Sequence, residues 1–200
     1  MADDLTEEQL KNLAINEDEE ATSKYKAPAE KSIAELAALD ADDEALNRYK
    51  ESLLGDASGS SGDARRVVVS KIELHSPELA APLSMDITLA PEELKKQSFK
   101  IKEGSEYSVQ FFFKVNNEIV SGLRYNQVVK RKGIAIDKTD VMVGSYAPKS
   151  EDYTYKTDAE EAPAGMIARG HYKVKSKFID DDKKEHAVWE WQFEIAKKWE

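Results

Sequence analysis

Over the last two thirds of the chain, apolar and polar residues alternate with a period of two. Leu83, Met85, Ile87 and Leu89 are separated by Ser84, Asp86 and Thr88, and Tyr107, Val109, Phe111, Phe113 and Val115 by Ser108, Gln110 and Lys114, with only Phe112 out of step. Tyr172, Val174, Ser176 and Phe178 interleave with Lys173, Lys175 and Lys177, and Trp189, Trp191, Phe193 and Ile195 with Glu190, Gln192 and Glu194. Successive side chains of a strand point to opposite faces, so each run predicts a strand with one buried face. Further strands are expected at 67–75, 98–102, 119–131, 140–147 and 152–157, with turn signals at Asn116-Asn117, Lys132-Gly133 and Asp180–Asp182. Eight or nine short antiparallel strands at this spacing predict a mainly β fold, an immunoglobulin-like antiparallel β-sandwich without the inter-sheet disulfide.

Before Arg65 the period is that of a helix. Thr6-Glu7-Glu8-Gln9 has the form of a capping box, with Leu5 and Leu10 placed as a hydrophobic staple, and a second box at Ser32–Glu35 opens a helix carrying Leu36 and Leu39. Asp40 can cap a third piece in which Ala45, Leu46, Tyr49, Leu53 and Leu54 recur at helical spacing, and Gly55 supplies the stop. The apolar stripe is narrow, and helices of this length are marginal in water without a surface to pack on. Residues 55–64, GDASGSSGDA, have linker composition. The expected organisation is therefore a flexible acidic N-terminal helix-loop-helix arm at 1–64, helical on a partner, and a sandwich domain at 65–200.

Charge sharpens this division. The formal net charge of −10 resides in the arm, where residues 1–64 carry 17 Asp and Glu against 6 Lys and Arg. Only Tyr25 and Tyr49 of the chain's aromatics lie there, too few bulky groups to offset the entropy of ordering it alone. An acidic arm disfavours nucleic acid as a partner, since phosphates are repelled. The absence of cysteine fits a reducing compartment, and neither the acidic start MADDLTEEQL nor any other stretch reads as a signal peptide or membrane span. A cytosolic protein that is not stably embedded in a membrane is expected.

Candidate chemistry is sparse. His75, His171 and His186 have neither metal-ligand spacing nor a catalytic partner pattern, and there is no P-loop, GxGxxG, GxSxG or HExxH. No enzyme, cofactor or metal is implied. Asp180-Asp181-Asp182 reads as a solvated turn, which together with Glu160-Glu161 can form an acidic surface attractive to a basic peptide. Lys173, Lys175 and Lys177 read as a solvent face and secondarily as a contact for anionic lipid. The aromatic positions read as core, although two sheets splayed at one end can leave an apolar slot between them. Periodicity alone does not separate a filled core from a slot.

Several stretches resemble one known family. YKAPAEKSIAEL at Tyr25–Leu36, LDADDEALNRYKESLLG at Leu39–Gly55, KKQSFKIKEGSEY at Lys95–Tyr107, RKGIAIDKTDVMVGSYAP at Arg131–Pro148 and FIDDDKKEHAVWEWQFEIAKKW at Phe178–Trp199 are similar to the Rho GDP-dissociation inhibitors. The match runs through nearly the whole chain, with departures at 1–22, in the linker, at 74–92 and at His171, where relatives often have Ser.

The resemblance implies a regulator that binds prenylated Rho-family GTPases as a 1:1 complex, slows GDP release, extracts them from membranes and holds them soluble. It places Ile33, Leu39, Asp43, Tyr49 and Lys50 on the GTPase switch regions. Leu74, Phe99, Tyr107, Ile119, Ile167, Val174 and Trp191 are placed on a slot for the geranylgeranyl group, and Glu160, Glu161, Asp181 and Asp182 against the basic residues before the prenylated cysteine. At ~0.8 kcal/mol per buried CH₂, leaving water favours the slot and the bilayer alike. Extraction must then be driven by the arm and the acidic rim. A lipid-binding chaperone indifferent to the GTPase is the alternative, and it would have no use for Asp43 and Tyr49.

Overall fold

The computed structural model describes residues 63–199. In chain order the elements are β1 (Val67–His75), β2 (Leu83–Asp86), a one-turn helix α1 (Pro91–Leu94), β3 (Phe99–Lys102), β4 (Glu106–Val115), β5 (Val120–Arg131), β6 (Ile134–Tyr146), β7 (Tyr153–Lys156), β8 (Glu160–Glu161), β9 (Gly170–Ile179) and β10 (Glu185–Ala196). One sheet has the order β2-β1-β4-β7, with β8 also on β4; the other has the order β3-β10-β9-β5-β6. Two sheets facing each other across a shared core make a β-sandwich. The helix-loop-helix expected in the first 62 residues lies outside the described part.

The alternation predicted from the sequence sets the layers. Val109, Phe111, Phe113 and Val115 of β4 are buried, as are Tyr172, Val174, Ser176 and Phe178 of β9 and Trp189, Trp191, Phe193 and Ile195 of β10. At the centre Phe111 lies 4.4 Å from Tyr125, and Phe178 lies 5.2 Å from Phe113 and 5.3 Å from Trp189, mostly in edge-to-face contact. Such geometry sets the positive edge of one ring against the negative face of the next. In β1 the inward positions change parity, from Val67 and Val69 to Ile72 and Leu74. A bulge at Ser70 absorbs one residue between Val69 and Lys71, so both halves still face the core.

Three features depart from the expected layout. β3 pairs with β10 in parallel, Phe99 beside Phe193 and Ile101 beside Ile195, so the sandwich is not wholly antiparallel. An edge strand that no hairpin ties to its neighbour is free to add in either direction. β6 begins at Ile134, six residues before the expected strand, because register shifts interrupt its alternation. β2 ends at Asp86, although the apolar pattern runs on to Leu89 and the Ile87 amide still donates to the Ser70 carbonyl.

Candidate functional site

The residues expected to line an apolar slot are divided by the structure. Phe99, Val174 and Trp191 come together on the inner face of the second sheet: Val174 is the cross-strand partner of Trp191, whose ring meets Phe99 at 5.8 Å. Leu74 enters from β1, the strand of the facing sheet that lies against β10. All four are at most 4% exposed, so their own side chains fill this region. Tyr107 is half-buried at the start of β4, beside a hollow of about 330 Å³ shared with His75, Ser76 and Thr157. Ile167 is 52% exposed in the loop between β8 and β9. Ile119 lies in the turn between β4 and β5, at the opposite end of the sandwich from Tyr107 and Ile167.

A polar thread runs through the apolar group. The Trp191 indole donates to Ser176 Oγ at 3.0 Å, Ser176 is fully buried and meets the Tyr125 hydroxyl at 2.9 Å, and that hydroxyl donates to Gln127. Burial pushes the Tyr125 phenol well above its ordinary range. The Tyr107 phenol is raised by burial first and by the Glu160 carboxylate second, so it stays protonated and donates to Glu160 Oε2 at 3.3 Å. Alternation had placed Ser176 on the inner face, but nothing in the sequence singled it out as the junction of two aromatic side chains.

The acidic residues also divide. Glu160 and Glu161 form β8 and pair with Tyr107 and Glu106 at the beginning of β4. Asp181 and Asp182 lie in the turn between β9 and β10, beyond the Ile179 and Glu185 pair. The other end of β10, at Ala196, accepts the Glu103 amide just before β4. The two acidic pairs therefore sit at opposite ends of the sandwich and do not form one surface, contrary to the expectation from the sequence. Residues far apart in the chain acquire a shared surface only from the strand directions.

At the hairpin end the three aspartates have unlike roles. Asp180 is 5% exposed; its Oδ1 accepts the amides of Asp182 at 3.0 Å and Lys184 at 2.9 Å, and its Oδ2 meets His186 Nε2 at 2.7 Å. Asp181 and Asp182 are exposed. Gly122 at the bulge opening β5 has φ +62°, and a Cβ there would lie 1.9 Å from the Asp181 carboxylate. The backbone requires glycine at this position for both reasons.

At the other end a buried arginine plays the corresponding part. Arg131, 6% exposed at the end of β5, donates to the carbonyls of Ile167 and Arg169, the latter at 2.6 Å, and to the Tyr172 hydroxyl at 3.2 Å. Its guanidinium carbon lies 5.1 Å from the Tyr172 ring centre, and the Tyr172 hydroxyl donates to the Ala168 carbonyl. Glu103 holds the same loop from below, accepting Arg169 at 2.6 Å and the Gly165 amide at 2.8 Å. These contacts hold its carboxyl below the usual range, the Arg169 hydrogen bond being the larger cause.

The expected GTPase-contact residues Ile33, Leu39, Asp43, Tyr49 and Lys50 lie outside the described residues. Among the described residues no helix is long and apolar enough to cross a membrane.

Comparison with known proteins identifies the family. The family described as RHO protein GDP dissociation inhibitor matches residues 10–198. Rho GDP-dissociation inhibitor 1 of Rattus norvegicus is 50% identical over 196 residues, covering 97% of this chain and 96% of the relative. Rho GDP-dissociation inhibitor 3 of Bos taurus is 43% identical over 183 residues, covering 91% and 81%, and the Rho GDP-dissociation inhibitor of Schizosaccharomyces pombe is 42% identical over 175 residues, covering 84% of each. The chain belongs to the Rho GDP-dissociation inhibitor family.

Proposed function

We propose that this chain binds Rho-family GTPases in their prenylated form, slows their release of GDP and carries them away from membranes. The observation that carries the reading is the near full-length identity to proteins named for GDP-dissociation inhibition, which spans both the arm and the sandwich. In this reading the arm at 1–64 orders on the switch regions through Ile33, Leu39, Asp43, Tyr49 and Lys50, and the domain at 65–200, an immunoglobulin-like sandwich, takes the geranylgeranyl chain between its sheets.

The closed interior gives the lipid reading a physical form. Phe99, Val174, Trp191 and Leu74 fill the space themselves, so an isoprenoid must spread the sheets or displace these side chains as it enters. Burying about twenty carbons gains on the order of 10 kcal/mol relative to water, but the bilayer gives the chain the same, so during extraction that rearrangement is offset by the contacts of the arm and the acidic rim. Tyr107 and Ile167 stand at one end and serve as the entrance. Ile119, at the far end, serves as the floor. Of the acidic residues, Glu160 and Glu161 flank the entrance and suit a basic tail, whereas Asp181 and Asp182 suit a second contact on the GTPase.

The test uses Asp43→Ala. It removes one charge-assisted contact from the arm, an expected loss of roughly ten- to a hundred-fold in affinity for the GTPase. GDP release from the prenylated GTPase and its extraction from vesicles should both weaken, while binding of a prenylated cysteine peptide holds. A mutant that inhibits as well as wild type removes Asp43 from the contact.

A further inference from the structure

The outer faces of the two sheets are charged differently. On the first sheet Lys71 pairs with Glu73 at 2.7 Å and Lys114 with Asp152 at 3.9 Å, which leaves Lys156 on the edge strand β7. On the second sheet Tyr172, Val174 and Ser176 of β9 turn inward, so Lys173 and Lys175 turn outward, and both are exposed. Lys173 stands directly opposite Lys130 of β5, and Lys175 stands opposite Val128, whose other neighbour is Lys138 of β6. Like charges at facing positions of adjacent strands repel. Among the described residues neither Lys173 nor Lys175 has an ion pair.

The carboxylates of this face do not balance the cluster. Asp140 is held by Arg124 at 2.8 Å and Glu185 by Lys177, and Glu194 stands opposite Lys100 of β3. The helix α1 adds Glu92, held by Lys95 at 3.1 Å, and Glu93, on the β10 side and away from β5 and β6. Of the carboxylates on the strands themselves, these pairings leave Glu190, opposite Lys175. A hollow of about 230 Å³ between β9 and β10 is lined by Lys95, Lys173, Lys175, Gln192 and this Glu190. The face is therefore basic around β9, with room for a further carboxylate.

The chain carries a counterpart. Glu17-Asp18-Glu19-Glu20 is its longest unbroken run of acidic residues, in an arm with 17 Asp and Glu against 6 Lys and Arg. The run lies outside the described residues and precedes the stretch from Ile33 to Lys50 that the GTPase reading uses. Asn116 and Asn117, in the turn between β4 and β5, donate to the carbonyls of Arg65 and Asp63, each at 3.0 Å, so the chain enters the sandwich at its hairpin end. From Ile179 at that end, Lys175 and Lys173 lie roughly 13 and 20 Å along β9. About forty residues separate Glu20 from Asp63, and a coil of that length spans roughly 35 Å. The link keeps the two charged groups at a local concentration on the order of millimolar, where contacts too weak to join separate molecules suffice.

We propose that the outer face of the second sheet is a dock for the chain's own Glu17–Glu20 segment, whose carboxylates lie among Lys130, Lys138, Lys173 and Lys175. The contact lays the arm along the sandwich and covers the basic face against anionic headgroups. It uses no residue placed on the GTPase or in the slot, and it stands whether or not those assignments hold.

The chain has no cysteine, so Asn16→Cys in the full chain carries a single nitroxide. At low salt the label should broaden the amide signals of Lys130, Lys173 and Lys175 and leave those of Lys71 and Lys114, on the opposite face, sharp. Salt at about 0.5 M should remove the broadening, because it shortens the reach of exposed charges to a few ångströms. Replacing the run by amides (E17Q, D18N, E19Q and E20Q) should remove it too, as should Lys173→Glu with Lys175→Glu. Adding Glu19→Lys and Glu20→Lys to that lysine pair should restore it. No broadening at low salt, equal broadening of both faces, or broadening that survives the amide substitutions would overturn the proposal. Spin-labelled chain mixed with isotope-enriched, unlabelled chain should broaden nothing, and broadening there would give the face to a second copy instead. Vesicles containing phosphatidylserine test the cover: the amide substitutions should strengthen binding about fivefold for each lysine uncovered, and have no such effect where Lys173 and Lys175 are replaced by Glu. An equal gain in both backgrounds would assign it to net charge and refute the cover.

Discussion

The two ends of the sandwich are held by opposite charges used in the same way. At the hairpin end the Asp180 carboxylate gathers backbone amides, and at the loop end the Arg131 guanidinium gathers backbone carbonyls. Both side chains are nearly closed to solvent, and each fixes a connection that has few apolar side chains to bury. Buried backbone groups must be satisfied somewhere, and one multivalent ion can do this for several at once. The difference lies in what each leaves outside. The hairpin presents Asp181 and Asp182, whereas the loop presents Met166 and Ile167. A buried ion beneath a loop therefore sets that loop's shape independently of the chemistry it displays.

The largest effect is expected from Arg131→Met, which keeps the length of the side chain and leaves the Ile167 and Arg169 carbonyls without their donor. Stability to urea should fall by about 3 kcal/mol, since stranded buried acceptors cost more than the bond itself contributes. A change under 1 kcal/mol would show that water can replace the guanidinium, and the likeness between the two ends would fail. Asp180→Ala should cost somewhat less, about 2 kcal/mol, because the hairpin amides of Asp182 and Lys184 lie nearer to solvent and can hydrate. The same unfolding curves measure it, with Asp182→Ala as a surface control near zero.

The smallest effect concerns acid. Glu103 titrates below its ordinary value of 4.5 because Arg169 and the Gly165 amide favour the charged form. Its contribution is then complete above that value and is lost as the pH falls through the lower folded-state value. Stability measured between about pH 6 and about pH 3 should decline less steeply in Glu103→Gln than in wild type. Parallel curves would show that the carboxylate does not hold the loop.

Much of the sandwich is legible in the sequence because its inner faces obey period two over long runs. The same alternation also marks both buried ions. Arg131 falls in phase with Leu123, Tyr125 and Val129, and Asp180 in phase with Val174, Ser176 and Phe178, so a charge is aimed inward at the last residue of β5 and at the residue just after β9. Turn-like surroundings, RKG and DDDKK, disguise that phase as solvent exposure. Other features leave no such trace. The Ser70 bulge reverses parity inside β1 with no Gly or Pro to mark it, and the parallel attachment of β3 depends on a partner almost a hundred residues away. The spatial grouping of the site was least legible, since Ile119 and Ile167, or Glu160 and Asp181, share a role by resemblance and yet lie at opposite ends.

The attachment of β3 bears on how the interior exchanges with its surroundings. This strand is bound on one side only, through a register of four residues against β10, and it carries Phe99, the ring that closes over Trp191. Separating it breaks a short ladder while β9, β10 and β5 stay joined, so it is a low-cost local opening of the kind that amide exchange detects. In deuterated buffer the amides of β3 should lose their protons well before those at the centre of β9. Occupancy of the interior should then register as slowed exchange at a strand that closes the interior from its edge.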